Sequence, residues 1–151
     1  MIANESQIKI LIKAWETMQA LAKGNGETAW RIRAWAVTLW SATMAYAYKN
    51  QAPAIIYIAV IALVVLFFIE AAVRQIQYKY IQKSIEVETS LKSILEGGNF
   101  ELPDNGITTN IDTPNVVNFL NLFQLRRWIF WFPYLLLVIS SLLAIRILGN
   151  S

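Results

Sequence analysis

Cysteine and histidine are both absent from the 151 residues of this chain. Without cysteine the chain forms no disulfide and no thiolate metal site. Without histidine it lacks the commonest general base and metal ligand, so a metal site would need oxygen ligands alone. The sequence also contains no Walker-type glycine loop, no paired carboxylates and no activated nucleophile. These absences predict a protein that is not an enzyme and that holds neither a metal ion nor a cofactor.

Charged residues are scarce as well. They make up 15% of the chain and hydrophobic residues 56%, whereas soluble domains contain about 25% charged residues. The net charge of +3 is small and the basic residues are spread out, so we expect no nucleic-acid partner. The first residues do not form a signal-peptide pattern, so we expect no cleaved leader. The composition predicts a single all-α membrane domain over residues 1–151, with the lipid bilayer as its main partner.

The first helix predicted by the apolar spacing is amphipathic and covers residues 5–22. The glycines of Gly24–Gly26 predict its end. Two interpretations stay open for its apolar face, which either lies in the lipid headgroup plane or packs on the protein's own cytoplasmic helix. That face contains Ile8, Leu11, Ile12, Trp15, Met18 and Ala22.

Three transmembrane helices are predicted, over residues 30–48, 54–72 and 128–148. The first has 19 residues, which at about 1.5 Å per residue nearly matches the roughly 30 Å hydrocarbon thickness. The second is uncharged from Ala54 to Ile69 and is the strongest transmembrane signal in the chain. Pro53, after a very short link, suits the first turn of this helix and predicts a tight hairpin.

The segment between the second and third spans begins as a helix. Neither glycine nor proline occurs between residues 54 and 96, so we expect the second span to continue as a long cytoplasmic helix to residue 96. Residues 97–115 read as a loop and 116–125 as a short apolar helix. Apolar residues seven apart on the long helix suggest either a coiled-coil seam or a packing face for the first helix and the loop. They are Val73, Tyr80, Val87 and Ile94.

The distribution of basic residues predicts the orientation in the membrane. With three spans, the hairpin and the C-terminus share one side, which holds only Lys49 and Arg146 of the thirteen basic residues. The other eleven lie on the opposite side. Because flanking Lys and Arg stay in the cytoplasm, we expect a multi-pass protein of the bacterial inner membrane with its N-terminus cytoplasmic and its C-terminus periplasmic.

Glu70 is the one acidic residue inside a predicted span and the leading candidate for a functional site. An ionisable residue in a membrane suggests an ion path, a proton relay or a gate. Its position near the end of the second span favours a structural ion pair instead, with Arg74 one turn away as the nearest basic residue. The candidate basic partners are Arg31, Arg33, Arg74, Arg126 and Arg127.

Small and hydroxyl-bearing residues mark two candidate packing surfaces. A stripe of small residues along the first span predicts close approach of another helix, either from the same chain or from a second copy. We define this small-residue stripe as Ala34, Thr38, Ala42 and Ala45. In the third span, Ser140 and Ser141 could line a polar path, but serines in membranes also pack helices or bond to their own backbone, and we favour packing.

Three segments together resemble a family of small, uncharacterised bacterial inner-membrane proteins with three spans. They are Trp35–Leu39 in the first span, Phe67–Glu70 at the end of the second, and the Gln- and Tyr-rich stretch Arg74–Glu88. In that family an acidic residue ends the second span, a polar helix enters the cytoplasm and an aromatic-led span follows. In outline the chain is also similar to small membrane effectors of bacterial anti-phage systems, which oligomerise and permeabilise the membrane.

Two functional hypotheses follow. Three helices cannot enclose a pore alone, so the leading one is a homo-oligomeric membrane protein that forms a pore or disrupts the membrane in bacterial antiviral defence. The alternative is a membrane anchor or adaptor that recruits a soluble partner, or senses a ligand, through the cytoplasmic helix and the 97–115 loop. A membrane-embedded enzyme would need a substrate site built from Glu70 and the arginines, and the absence of catalytic motifs disfavours it.

Overall fold

The computed structural model describes residues 5–97, 103, 106–111 and 127–149, and in these ranges it contains three α-helices and no strand. Helix α1 is Glu5–Lys49, α2 is Ala54–Leu95 and α3 is Trp128–Gly149. The predicted all-helical class is confirmed, and α2 is one uninterrupted helix as the sequence indicates. The short helix predicted over 116–125 lies outside the described residues.

Two of these helices, α2 and α3, are long and apolar enough to cross a membrane. Over the described ranges, length and composition thus identify two candidate spans where the sequence analysis predicts three. The difference lies in α1, whose C-terminal half mixes alanines with Trp, Tyr, Thr and Ser and begins with two arginines. Such residues score poorly on hydropathy even where a membrane could accommodate them.

Helix α1 does not end at Gly24–Gly26; it continues without interruption to Lys49. The predicted stop is therefore wrong. A glycine inside a helix costs about 1 kcal/mol relative to alanine, which is too little to end a helix that is packed over several turns. Gly26 is buried, and a Cβ atom there would lie 2.7 Å from Nε2 of Gln77. The absence of a side chain at this position lets α1 and α2 approach closely.

We expect Gly24→Ala to stabilise the protein by about 0.5–1 kcal/mol, because alanine removes the entropic cost of glycine in a helix. A Cβ at Gly24 meets nothing within 4 Å. Gly26→Ala is the matched control, since its methyl group displaces the Gln77 amide and should gain less. Thermal unfolding in mild detergent, followed by circular dichroism, measures both. Equal gains for the two variants would contradict the close approach at Gly26.

The link between α1 and α2 is a tight turn. The N–H of Ala52 donates to the carbonyl of Ala47 at 3.0 Å, and Gln51 has a left-handed backbone with φ of 50°. This is the arrangement that commonly ends a helix, with Gln51 at the position usually held by glycine. Pro53 directly precedes α2, as the sequence predicts for a proline at a helix start.

The described residues form two compact units. Unit 1 takes its residues from Met1–Glu27 and Arg74–Pro114, and unit 2 from Thr28–Val73 and Asn115–Ser151. Each unit has its own apolar core, and the two are described separately below.

The core of unit 1 joins the start of α1 to the end of α2. Leu11, Met18 and Val87 are buried together, and Gln19 Nε2 donates to Ser84 Oγ at 3.1 Å. Trp15, Leu91, Ile94 and Ile107 pack around this core. Much of the apolar face of the first helix therefore packs on protein, although Ile12 stays 43% exposed, and the second half of the seven-residue pattern of α2 serves this packing. Val87 and Ile94 are consequently occupied within the chain and do not form a free coiled-coil seam.

The core of unit 2 brings together three helical segments. Near the hairpin, Met44 of α1, Ile56 of α2 and Ala144 of α3 are buried in one cluster. Further along the same helices, Ala36, Leu63 and Tyr134 form a second cluster. Trp40 packs against both clusters. The side of α1 that faces the core is thus the one that carries Ala36, Trp40 and Met44.

Candidate functional site

Three polar side chains, one from each helix, meet inside unit 2. They are Arg33 of α1, Glu70 of α2 and Tyr134 of α3, and their residues are 8%, 0% and 5% exposed. A buried charge is costly unless it is paired and hydrogen-bonded. The contacts of this group, which we call the Arg33 cluster, therefore decide whether it stabilises the protein.

The charges of the cluster are paired at close range. Arg33 Nη2 lies 2.6 Å from Glu70 Oε1, and Arg33 Nε donates to Glu70 Oε2 at 3.3 Å. The hydroxyl of Tyr134 donates to the same Oε2 at 2.7 Å. Two parallel N–H donors on one carboxylate form the fork geometry that makes arginine–carboxylate pairs strong and directional. One carboxylate thus binds groups from both neighbouring helices.

The remaining donors of Arg33 reach the backbone of α3, and a proline explains why. In an α-helix each N–H donates to the carbonyl four residues earlier, but Pro133 has no N–H and leaves the carbonyl of Ile129 without that partner. Arg33 Nη1 donates to this carbonyl at 3.1 Å, and Nη2 donates to the carbonyl of Phe130 at 3.2 Å. The arginine therefore satisfies an acceptor that the proline leaves open.

Aromatic rings surround the cluster. Phe67 stacks on Phe130 with ring centroids 5.1 Å apart and meets Tyr134 edge-on at 5.2 Å. The guanidinium of Arg33 lies 4.9 Å from the centroid of the Trp30 ring, a distance typical of cation–π contacts. The rings exclude solvent from the ion pair and lower the local dielectric, which strengthens its hydrogen bonds.

Chemically, the Arg33 cluster is a closed, charge-balanced clamp. The carboxylate is fully buried, so it does not face a solvent-filled path in this conformation. No group of three or more acidic, histidine or cysteine residues occurs in the described part of the chain, so these residues offer no metal site. The arrangement can tie three helices together, and breaking it would leave a buried charge.

Three of the other four candidate basic residues lie within the described ranges. Arg74 belongs to unit 1 and donates to Gln77 Oε1 at 3.0 Å. Arg31 is exposed and Arg127 is half-buried, while Arg126 lies outside the described residues. Of the candidate partners for Glu70, Arg33 donates to the carboxylate through Nε and Nη2.

The two serines of α3 pack and bond locally, as the sequence analysis favours. Ser140 donates to the carbonyl of Leu136 at 2.9 Å. Ser141 is fully buried and donates to the carbonyl of Leu137 at 2.7 Å. Ser141 also accepts a hydrogen bond from Trp40 Nε1 at 2.8 Å, which ties α1 to α3 in the core.

We expect Ser141→Ala to destabilise the protein by about 1–3 kcal/mol, because it leaves the half-buried indole N–H of Trp40 without an acceptor. Ser140→Ala is the matched control, since Ser140 bonds only along its own helix in the contacts described here and should cost about 0.5 kcal/mol or less. Thermal unfolding in detergent compares the two. Equal losses would contradict a role for the Trp40 hydrogen bond.

All four residues of the small-residue stripe are exposed. They lie on the side of α1 away from Ala36, Trp40 and Met44, so they do not pack against α2 or α3. The alternative in which another span of the same chain covers the stripe is therefore not the arrangement found. The stripe is available to a second copy.

Two residues of this site escaped the sequence analysis. Tyr134 is not among the predicted site residues, although a hydroxyl next to Pro133 in an apolar helix needs a buried acceptor. Trp40 was not singled out, although its spacing from Ala36 and Met44 places it on the buried side of α1. In both cases the signal was a polar atom on an apolar face, which indicates a hydrogen-bonding partner but not its identity.

No family model, curated protein or solved structure matches this chain.

Proposed function

We propose that this chain is a homo-oligomeric, three-span protein of the bacterial inner membrane that forms a pore or disrupts the membrane in anti-phage defence. The observation that carries the proposal is the contrast between the exposed faces of the three helices. The exposed faces of α2 and α3 are rich in Ile, Leu, Val and Phe, as lipid contact requires. The exposed face of α1 holds the small-residue stripe and Ser41 as a strip between exposed large side chains such as Trp35 and Tyr46.

The Arg33 cluster supports a third span formed by α1. Arginine in a membrane helix costs about 2.5–3.5 kcal/mol on insertion scales. Its pairing with Glu70 neutralises that charge, and its bonds to Glu70 and α3 satisfy four of its five N–H donors. The exposed Arg31 can snorkel to lipid phosphates. A helix with modest hydropathy can then cross together with α2 and α3.

The small-residue stripe supports assembly of several copies. Helices in lipid associate through close packing of Ala, Ser, Thr and Gly, and this face of α1 has no partner of that kind within the described chain. A lipid-facing helix gains little from alanines and hydroxyls, whereas a helix–helix interface or a water-filled path accommodates both. Thr38 and Ser41 supply the hydroxyls for such a path.

The inner-membrane location and the orientation rest on the distribution of basic residues, and the defence role rests on the resemblance in outline to anti-phage effectors. Glu70 contributes as part of the clamp that holds α1 in place, and not as a pore-lining group in this conformation.

Ion permeability tests the proposal. We expect liposomes that contain the purified protein to lose a proton or potassium gradient faster than empty liposomes, because an oligomer of α1 helices opens a path. The double variant Ala42→Leu with Ala45→Leu should abolish the leak, since the larger side chains block close packing. Assembled protein that leaves the gradient unchanged would overturn the pore.

A membrane adaptor is the second candidate, and one observation favours it. The loop residues Thr108–Asn110 are fastened to α2 by Tyr80 and Lys83, which presents a defined surface to a soluble partner. Replacing the loop by a neutral linker separates the candidates. An adaptor would lose partner binding and keep its oligomer and permeability unchanged.

A further inference from the structure

A polar cleft lies in unit 1 between α2 and the segment 106–111. Its volume is about 390 Å³, which falls within the roughly 300–1,000 Å³ of small-molecule sites. One wall is the exposed side of α2 and the other is the backbone and side chains of the loop segment. The lining residues are Lys79, Gln82, Lys83, Glu86, Thr108, Asn110 and Ile111.

Lys83 joins the two walls and retains one unused donor. Its ammonium group donates to the carbonyl of Thr108 at 3.0 Å and to the carbonyl of Asn110. A lysine ammonium has three N–H donors, so these two bonds leave one. Beside it, the Tyr80 hydroxyl fixes the carbonyl of Thr109 at 3.2 Å, which holds the loop wall in position.

The charges of the cleft favour an anion. Lys79 and Lys83 are four residues apart on one helix face, where like charges repel, and Glu86 is the one acidic residue among the described residues that line the cleft. The side chains of Gln82, Thr108 and Asn110 add neutral donors. A divalent cation would need several carboxylates, which the described lining residues do not offer.

We propose that this cleft binds the phosphate group of a small phosphorylated molecule. A phosphate presents several acceptor oxygens, and lysine binds it as a point charge through charge-assisted hydrogen bonds. Lys79 and the third proton of Lys83 bind the phosphate from α2, and Thr108 and Asn110 bind it from the loop. Glu86 accepts a hydroxyl of the remaining ligand. This inference is independent of the proposed pore, because it concerns unit 1 alone.

Phosphate-dependent thermal stability tests the site in the full chain, purified in an uncharged maltoside detergent. Inorganic phosphate is the probe, compared with chloride at equal ionic strength. We expect the apparent Tm to rise by about 3–5 °C at a phosphate concentration ten times Kd. Lys79→Gln should lose at least tenfold in apparent affinity. Lys92→Gln, which removes an exposed lysine of the same helix, should keep the full shift.

Phosphate also stabilises proteins in general as a salt. That effect is the same for Lys79→Gln and Lys92→Gln, so the difference between their Tm shifts reports on binding at the cleft. Equal shifts for Lys79→Gln and Lys92→Gln, or no shift in the wild type, would overturn the site. If Lys79→Gln is already unstable in chloride, the linewidth of the phosphate ³¹P resonance decides with wild-type protein alone. Broadening supports binding, and an unchanged line contradicts it.

A second arm identifies the source of the phosphate. Mixed micelles that contain phosphatidic acid replace inorganic phosphate at the same phosphate concentration. Saturation at the same phosphate concentration in both media points to a soluble ligand, and saturation at a much lower phosphate concentration in the mixed micelles points to a lipid headgroup; inorganic phosphate binds in both cases. The oligomeric mass of the same samples shows separately whether assembly is intact, so failure of this site and failure of the proposed pore are distinguishable.

Discussion

Glu70→Gln should destabilise the protein by about 3–5 kcal/mol, one of the two largest effects that we expect. The variant keeps the shape of the side chain and removes its charge, so Arg33 stays buried with no counter-charge. The carboxylate also holds Tyr134 of α3, and that hydrogen bond loses its charged acceptor. Unfolding by titration with a denaturing detergent, followed by tryptophan fluorescence, measures the loss.

The double variant Arg33→Met with Glu70→Gln separates charge from packing. We expect it to be more stable than Glu70→Gln alone, since replacing a buried ion pair by neutral groups removes the uncompensated charge. Glu88→Gln is the matched control, because Glu88 is an exposed acid on the same helix and should change stability by about 0.5 kcal/mol or less. A Glu70→Gln variant as stable as this control would contradict the clamp.

Single-cysteine cross-linking should give a high yield of inter-chain disulfide on one face of the chain and almost none on another. The natural sequence has no cysteine, so each introduced thiol is unique. We expect Ala42→Cys, on the small-residue stripe, to form an inter-chain disulfide in native membranes under a mild oxidant. The prediction follows from close packing between copies, because a disulfide requires Cα atoms about 4.4–6.8 Å apart.

Ile61→Cys is the control for that experiment. Ile61 is 65% exposed on α2, on a face that the account assigns to lipid, so its thiol should stay monomeric. Similar yields at Ala42 and Ile61 would indicate random collisions and contradict an interface on α1. Cross-linking at Ile61 alone would place the interface on α2 instead.

The helices that could be predicted from the sequence are those with uniform composition. The uninterrupted apolar run of α2 and the absence of glycine and proline as far as Glu96 allow no other local structure. Helix α1 could not be predicted in full, because two glycines are a strong local signal for a stop. The packing of Leu11, Met18 and Gly26 on α2 overrides that signal, and such long-range contacts are not visible in a single sequence.

The candidate site was predictable in kind but not in detail. Glu70 stands out as a charge in an apolar segment, and an ion pair is the physical requirement for it. Spacing along one helix indicates Arg74, but it does not indicate the buried contact with Arg33, a residue on another helix. That contact depends on how three helices pack and on the carbonyl that Pro133 leaves open, and neither is encoded in local spacing.

The mass of the purified protein in mild detergent decides whether copies of the chain assemble. Light scattering with the detergent contribution subtracted gives the number of copies of the 17.2 kDa chain in each particle. We expect a discrete oligomer, with about four or more copies if α1 helices surround a path. A monomer at all concentrations, with the Arg33 cluster intact, would contradict assembly through the small-residue stripe.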